Sequence, residues 1–340
     1  MRKIVECVPN FSEGRDIVKI EEIAAEVRKV PGVRLLDVAP DGEHNRTVLT
    51  FVGEPELVKQ AAYNMIARAA AVIDMAGHKG KHPRMGACDV CPFVPVRNVT
   101  MADCVALANE LASEVGEKLA IPVYLYGEAA RIPDRKSLAV IRAGEYEGLP
   151  EKLRNPRWKP DYGPPVFNAK SGATAIGARE FLIAYNVYLN TVDKEIAHRI
   201  ARIIRESGRI ATLDDGQEIR VPGIFRSVQA AGIVLEEPGV AQVSMNLSDY
   251  KVTPIHIVFE KIRELAELGG ASVLYSEIVG LIPKAAILET GRFYKPGARS
   301  EKELVEAAAR NLLLNSGRTS SLRKRIIEFL IEEEQECCKR

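Results

Sequence analysis

Apolar and polar positions alternate along the chain in two rhythms, one of period two and one of period 3.6. KIVECVPNF, residues 3–11, reads as a short strand, and IVKIEEIAAEVRKV, 17–30, places apolar residues at helical spacing before Pro31-Gly32 stops it. VRLLDVA and RTVLTFVG are two strand-like runs separated by the polar turn DGEHN. EPELVKQAAYNMIARAAAVIDM predicts a long helix that closes at Gly77, and DVCPFVPV a further strand. The order is β-α-β-β-α-β. A helix over 101–119, a strand at PVYLYG and the stretch RKSLAVIRAGEYEGL follow.

The rhythm then breaks. Residues 154–172, RNPRWKPDYGPPVFNAKSG, hold four prolines and two glycines, and a stretch this long without periodicity carries function or joins domains. Beyond it FLIAYNVYL, KEIAHRIARIIRESG, the runs near 223–235 and 240–247, TPIHIVFEKIRELAELGG and ASVLYSEIVGLIP repeat β-α-β-β-α-β. The expected class is α+β, two tandem ferredoxin-like units joined by the Pro-rich loop. Subdomains are expected over 1–178 and 179–295, with a charged, amphipathic helical extension over 296–340.

Bulk properties narrow the function classes. Among 340 residues, Lys+Arg number 47 and Asp+Glu 46, so no net field draws the chain to nucleic acid or to a membrane surface. MRKIVECVPNF lacks the apolar core of a signal peptide, and MIARAAAVIDM, the most apolar run, is interrupted by Arg68 and Asp74. A cytoplasmic protein is expected, with Cys7, Cys88, Cys91, Cys104, Cys337 and Cys338 as reduced thiols. Cys88 and Cys91 form a CxxC, but inside a strand pattern rather than at a helix N-terminus, which argues against redox or zinc chemistry.

Recognition must therefore be local, and one stretch stands out. HKGKHPRMG, residues 78–86, packs His78, Lys79, Lys81, His82 and Arg84 into one short loop, the composition of a site that binds an acid and moves a proton. Its bland alternative is a solvated helix end. His78 and His82 stand at HxxxH spacing, yet Gly80 and Pro83 oppose a continuous helix and no carboxylate lies in the loop, so no metal is expected. The turn at 41–46 adds Asp41, His44, Asn45 and Arg46, an acceptor, a titrating ring, an amide and a fork-shaped carboxylate binder. PDYGPPVFNAKSGA offers Tyr162 and Phe167 on a rigid frame for a flat heteroaromatic ligand, with Lys170 for a carboxylate. No GxGxxG, P-loop or Gly-x-Ser-x-Gly pattern appears.

Taken together, VECVPNFSEG, NRTV, HKGKHPRMGACDVCPF, PVYLYGEAAR, IRAGEYEGL, WKPDYGPPVF, GATAIGAREFLIAYN, AQVSMNL and SEIVGLIP resemble the glutamate formimidoyltransferase family, the formiminotransferase part of formiminotransferase-cyclodeaminase. The resemblance implies two ferredoxin-like subdomains with a ligand cleft between them. It implies transfer of a formimidoyl group from N-formimidoyl-L-glutamate to N5 of tetrahydrofolate, the co-substrate, in histidine degradation. The family's catalytic histidine falls on His82 and its folate stretch on Gly163, Pro164, Pro165, Val166, Phe167, Asn168, Ala169, Lys170, Ser171 and Gly172. Lys79, Lys81 and Arg84 are the expected contacts of the substrate carboxylates, with Asp41, His44, Asn45 and Arg46 as further contact or tuning candidates. An acid often found in the family at the place of Ala39 is absent, and Asp41 is the candidate replacement.

The resemblance also implies a homodimer. The chain ends where the animal enzyme's cyclodeaminase domain would begin, so a stand-alone transferase is expected, with any cyclodeaminase a separate polypeptide. Two other readings stay open: formyl transfer between N-formylglutamate or 5-formyltetrahydrofolate and folate at the same site, and a non-catalytic folate-binding scaffold.

Overall fold

A computed structural model describes residues 2–235, 239–314 and 322–337; Cys338 lies outside them. The chain divides into two compact units, Met1–Glu180 and Phe181–Arg340.

The first unit opens with β1 (Ile4–Cys7) and β2 (Asn10–Phe11) where one strand was expected. Pro9, which has no N–H to donate, lies at the interruption, and both pieces pair with the same two neighbours. Next come α1 (Ile17–Arg28), β3 (Arg34–Asp41), β4 (Arg46–Gly53), α2 (Pro55–Val72), β5 (Cys88–Arg97) and α3 (Met101–Leu119). Asp16 caps α1 through Val18 N and Lys19 N, and Thr100 with Asp103 forms a capping box on α3. Helix α2 stops at Val72 rather than Gly77, because Ile73 turns to extended backbone and Asp74 caps a separate short turn, Met75–Gly77. The basic loop is therefore not the helix end that its bland reading required.

After β6 (Val123–Gly127), α4 (Leu138–Arg142) and α5 (Leu149–Lys152) the unit closes with β7 (Thr174–Ala178). The sheet runs β3-β4-β1/β2-β5-β7-β6, antiparallel except that β7 lies parallel to both β5 and β6. Strands β3, β4, β1/β2 and β5 hold the split-βαβ order, and β7 and β6 extend it. Strand β7, TAIGA, escapes any periodicity because it is buried on both faces and built of small residues. A Cβ on Gly177 would lie 2.3 Å from the Tyr126 carbonyl.

The Pro-rich stretch 154–172 is not the linker it was expected to be. It belongs to the first unit: Asp161 accepts from Arg135 at 2.9 Å inside the fold, and the Trp158 carbonyl accepts from the Tyr124 hydroxyl at 2.8 Å.

The second unit comprises β8 (Ile183–Leu189), α6 (Lys194–Ile204), β9 (Arg209–Thr212), β10 (Glu218–Val221), β11 (Val228–Leu235), β12 (Val240–Leu247), α7 (Ile255–Leu268) and β13 (Val273–Val279). Its main sheet, β11-β12-β8-β13, repeats the split-βαβ order with every pair antiparallel. The β9–β10 hairpin is an insertion that the strand rhythm does not foretell. Helix α8 (Lys284–Tyr294) follows, then α9 (Glu301–Asn311) and α10 (Ile327–Cys337). The extension packs on the unit's body: Leu304, Val305, Ala307 and Ala308 are buried, and Gly291 of α8 lets the α9 backbone approach. Among the described residues no helix is long and apolar enough to cross a membrane.

Candidate active site

The basic loop 78–84 folds onto the turn at 41–46, and both lie in the first unit. Asn45 joins them. It sits at φ 51°, a left-handed conformation that asparagine tolerates. Its side chain accepts from Gly14 N at 3.0 Å and donates to the Lys79 carbonyl at 2.9 Å. Gly80 makes the approach possible, since a Cβ there would meet the His44 carbonyl at 2.3 Å.

His78 is a structural residue. Its Nε2 bonds the Asn45 carbonyl at 2.9 Å, and its Nδ1 accepts from Arg84 Nε at 3.2 Å, so the ring is a neutral Nε2–H tautomer with both nitrogens engaged. Burial, with the Arg84 charge adding to it, keeps its pKa below 6.5 against the Asn45 bond. Neither nitrogen is left to ligate a metal with His82.

Arg84, expected among the substrate carboxylate contacts, is committed inside the protein. Only 7% exposed, it sends Nη1 to Glu145 at 3.0 Å and to Glu147 at 2.8 Å. Nη2 reaches Glu147 at 2.6 Å and the His78 carbonyl at 3.3 Å. This fork anchors the loop to residues 145–147 and leaves no donor for a ligand. Lys81 is exposed and pairs with Glu43 at 2.6 Å, a surface ion pair of little energetic weight. Lys79 is exposed.

His82 stands apart from these. The cation beside it comes from β4: Arg46 Nη1 lies 3.5 Å from His82 Nε2 while donating to Asn10 Oδ1 at 3.0 Å. A guanidinium only donates, so Nε2 is the acceptor and the neutral ring carries its proton on Nδ1. Burial, then the charges of Arg46 and Arg142, push the His82 pKa down from 6.5 to about 3. The ring is neutral because of burial and of two arginines that lie outside its own loop.

The depression has a consequence for acid stability. Between 6.5 and about 3 the unfolded chain binds a proton at His82 that the folded chain does not. Stability from this group is complete above pH 6.5 and is lost as pH falls below it. In His82→Asn the drop in melting temperature between pH 6.5 and 4.5 is expected to be smaller than in the wild type. An equal drop would show that His82 is not the depressed group.

Asp41 holds His44 rather than His82. Its carboxylate accepts from His44 N at 2.9 Å and lies 2.8 Å from His44 Nδ1. Burial opposes its ionisation, but these bonds and the His44 charge outweigh burial and lower its pKa. Ala39 lies on β3 opposite Val48.

The stretch 163–172 closes on the same loop. Ala87 N donates to the Ser171 carbonyl at 2.8 Å and Ala173 N to the Met85 carbonyl at 3.0 Å, so this segment runs beside the residues that follow His82. Phe167 packs on Tyr146 at 5.4 Å, and the Tyr146 hydroxyl donates to the Ala169 carbonyl. Lys170 Nζ donates to the Ala71 carbonyl at 2.8 Å, so it braces the segment. Pro165 and Val166 are exposed; Gly163 backs onto Gly116, and Asn168 caps the turn by accepting from Ser171 N at 2.9 Å.

Sequence reasoning missed Asn10, Asp89, Arg142, Glu145 and Glu147. Arg142 pairs with Asp89, whose other oxygen accepts from Met85 N at 2.9 Å. The signal lay in IRAGEYEGL, one arginine and two acids on a glycine-framed turn with Glu145 at φ 53°. Among the described residues, Cys7, Cys88, Cys91 and Cys104 are buried free thiols, and burial raises the Cys88 and Cys104 pKa values.

Comparisons with known proteins agree over both units. The N-terminal subdomain of the formiminotransferase domain matches residues 4–179, and the formiminotransferase domain matches 184–332. The chain is 48% identical, over 99% of its length, to a formimidoyltransferase-cyclodeaminase of Gallus gallus, of which it spans 61%. It is 42% identical to a glutamate formimidoyltransferase of Streptococcus pyogenes serotype M1 over 86% of this chain and 94% of that one. With a glutamate formimidoyltransferase of Thermoplasma acidophilum the identity is 45%, covering 86% and 92%.

Proposed function

The chain belongs to the formiminotransferase family, and on that premise we propose that it transfers the formimidoyl group of N-formimidoyl-L-glutamate to N5 of tetrahydrofolate and releases L-glutamate, with His82 as the acid–base. The observation that carries the reading is a neutral, half-buried histidine whose Nε2 lone pair faces a guanidinium at 3.5 Å. Mere binding has no use for such a base.

In this mechanism the N5 lone pair attacks the amidine carbon, the N5–C bond forms, and the N5 proton passes to His82 Nε2. The tetrahedral intermediate then breaks its bond to the glutamate nitrogen, which takes that proton from Nε2 and leaves as an amine. One ring serves as base and then as acid, contributing about 10²–10⁴-fold. Holding both substrates at the site supplies much of the rest.

Tetrahydrofolate is the co-substrate, assigned to residues 163–172, where the Phe167–Tyr146 pair and the exposed Val166 offer apolar surface beside the His82 loop. Arg46 is assigned to the glutamate carboxylates in place of Arg84.

The test mixes the protein and tetrahydrofolate with N-formimidoyl-L-glutamate or, in parallel, N-formyl-L-glutamate, quenches in acid and reads the absorbance of the methenyl product. Turnover with the formimidoyl donor is expected. Turnover with the formyl donor alone would replace the amidine with its carbonyl counterpart, and turnover with neither would overturn the reading.

A further inference from the structure

We propose that Arg46 and Arg142 together seat one carboxylate of the glutamate donor, and that docking it draws the Arg46 guanidinium off His82 Nε2 and frees that lone pair for the N5 proton. The inference rests on the transfer reading above and adds to it a positioning pair and a reason for the base to become active only with donor bound.

The argument begins with donor saturation. Buried N–H groups are almost always paired, and leaving one without an acceptor is costly. Arg84 obeys this rule through Glu145, Glu147 and His78. Arg46 and Arg142 do not. Among the described residues, Arg46 uses only Nη1, toward Asn10 and His82, and its buried Nε has no acceptor. Among the same residues, Arg142 uses only Nη2, toward Asp89, and its buried Nε also has no acceptor.

Charge points the same way. The two guanidiniums repel each other, and burial already disfavours the charge on Arg46. Against them stand Asp89, which is paired with Arg142, and Asp41, whose carboxylate is bonded to His44. The groups acting on His82 are Arg46 from β4, Arg142 from α4, and His44 and Asp41 from the turn between β3 and β4. Three of these four lower its proton affinity. An incoming carboxylate would relieve the repulsion and give the spare donors an acceptor. It would also compete, as a planar anion able to accept two parallel N–H bonds, with a neutral ring that Arg46 contacts only at 3.5 Å, and bidentate Arg–carboxylate pairs are among the strongest hydrogen bonds.

Freed from Arg46 and faced by an anion, His82 would hold a proton more readily. A base that accepts the N5 proton and then returns it to the leaving nitrogen needs that higher affinity, since efficiency peaks when the pKa lies near the working pH. An empty site keeps the ring neutral and its lone pair occupied.

The experiment uses the full chain with ¹⁵N-labelled histidine, the His82 ring signals assigned from His82→Asn, and L-glutamate as the probe, its binding followed by calorimetry. At pH 5, saturating glutamate is expected to raise the protonated fraction of His82 at least about tenfold, the equivalent of one pKa unit. Arg46→Met and Arg142→Met should each suppress that rise, and Arg142→Met should raise KM for the donor more than KM for tetrahydrofolate. Arg46→Lys, which keeps charge but lacks the fork, should restore only part of it. Glutamate that binds without changing His82 would overturn the inference and leave the transfer reading standing. Absence of glutamate binding while the formimidoyl donor turns over would do the same; absence of both would overturn the two together.

Discussion

Replacing His82 by asparagine is expected to lower kcat for formimidoyl transfer by about 10²–10⁴-fold while the protein stays folded. The loop that carries His82 is held by other residues: Asn45 to Lys79, Arg84 to Glu145 and Glu147, and His78 to Asn45. Among the described residues His82 itself makes only the long contact to Arg46, so its removal should not release the loop. Asparagine keeps a polar side chain of moderate size beside Arg46 but neither takes nor returns a proton. The residual rate would come from holding two substrates in register. KM for tetrahydrofolate should change little, which separates a lost proton carrier from a distorted site. A kcat within a factor of three of the wild type would remove His82 from the chemistry, whatever the family resemblance implies.

The second large effect is structural in origin and functional in outcome. Gly172→Ala is expected to destabilise the first unit by about 2–4 kcal/mol. Gly172 sits at φ +66°, and a Cβ there would lie 2.1 Å from the Met85 carbonyl and 2.8 Å from the Gly86 Cα. No side-chain rotation relieves a clash with backbone, so 171–173 must move away from 85–87. Two hydrogen bonds join those segments, and Met85 is three residues beyond His82. Displacement of about 1 Å at a reacting group can cost 10²-fold, so kcat/KM for tetrahydrofolate should fall further than stability alone explains. Gly216→Ala is the control. Its φ is +83°, but nothing lies within 4 Å of the added Cβ, and the site belongs to the β9–β10 turn. It should cost about 1 kcal/mol with activity unchanged. Thermal unfolding and steady-state kinetics on the two variants decide it: equal melting temperatures and equal kinetics would refute the coupling between the stretch 163–172 and the His82 loop.

Both effects turn on features of very different visibility in the sequence. His82 stands in a run of cations that any composition scan would flag, and the resemblance to the family places a catalytic histidine there. Gly172 has a neighbour, Met85, that lies 87 positions away, and nothing local hints at the approach. The cations divide in the same manner. The five basic or titrating side chains of the HKGKHPRMG loop and those of the turn at 41–46 are legible as chemistry, but their roles are not. Arg84 looks like a carboxylate binder and is buried under Glu145 and Glu147, whereas Arg142, whose charge acts on His82, lies in IRAGEYEGL, where no local pattern ties it to the basic loop.

The elements set by the chain's own periodicity and caps are those the sequence determines by itself. Helix α3 spans Met101–Leu119 as its apolar spacing and its Thr100 cap require, and the two βαββαβ orders follow from where strand and helix rhythms alternate. The hairpin at 209–221 escaped that rhythm although Asp-Asp-Gly marks its turn, because its strands are exposed and short. Strand β7, the inclusion of 154–172 in the first unit and the pairing of every cation around His82 belong to the tertiary structure. The physical reason is the reach of the forces. Periodicity and capping act over a few residues, and a window of sequence contains them whole. Burial, ion pairing and the proton affinity of His82 are set by Arg46 and Arg142, which lie 36 and 60 positions away and meet it only when β4, α4 and the basic loop close on one another.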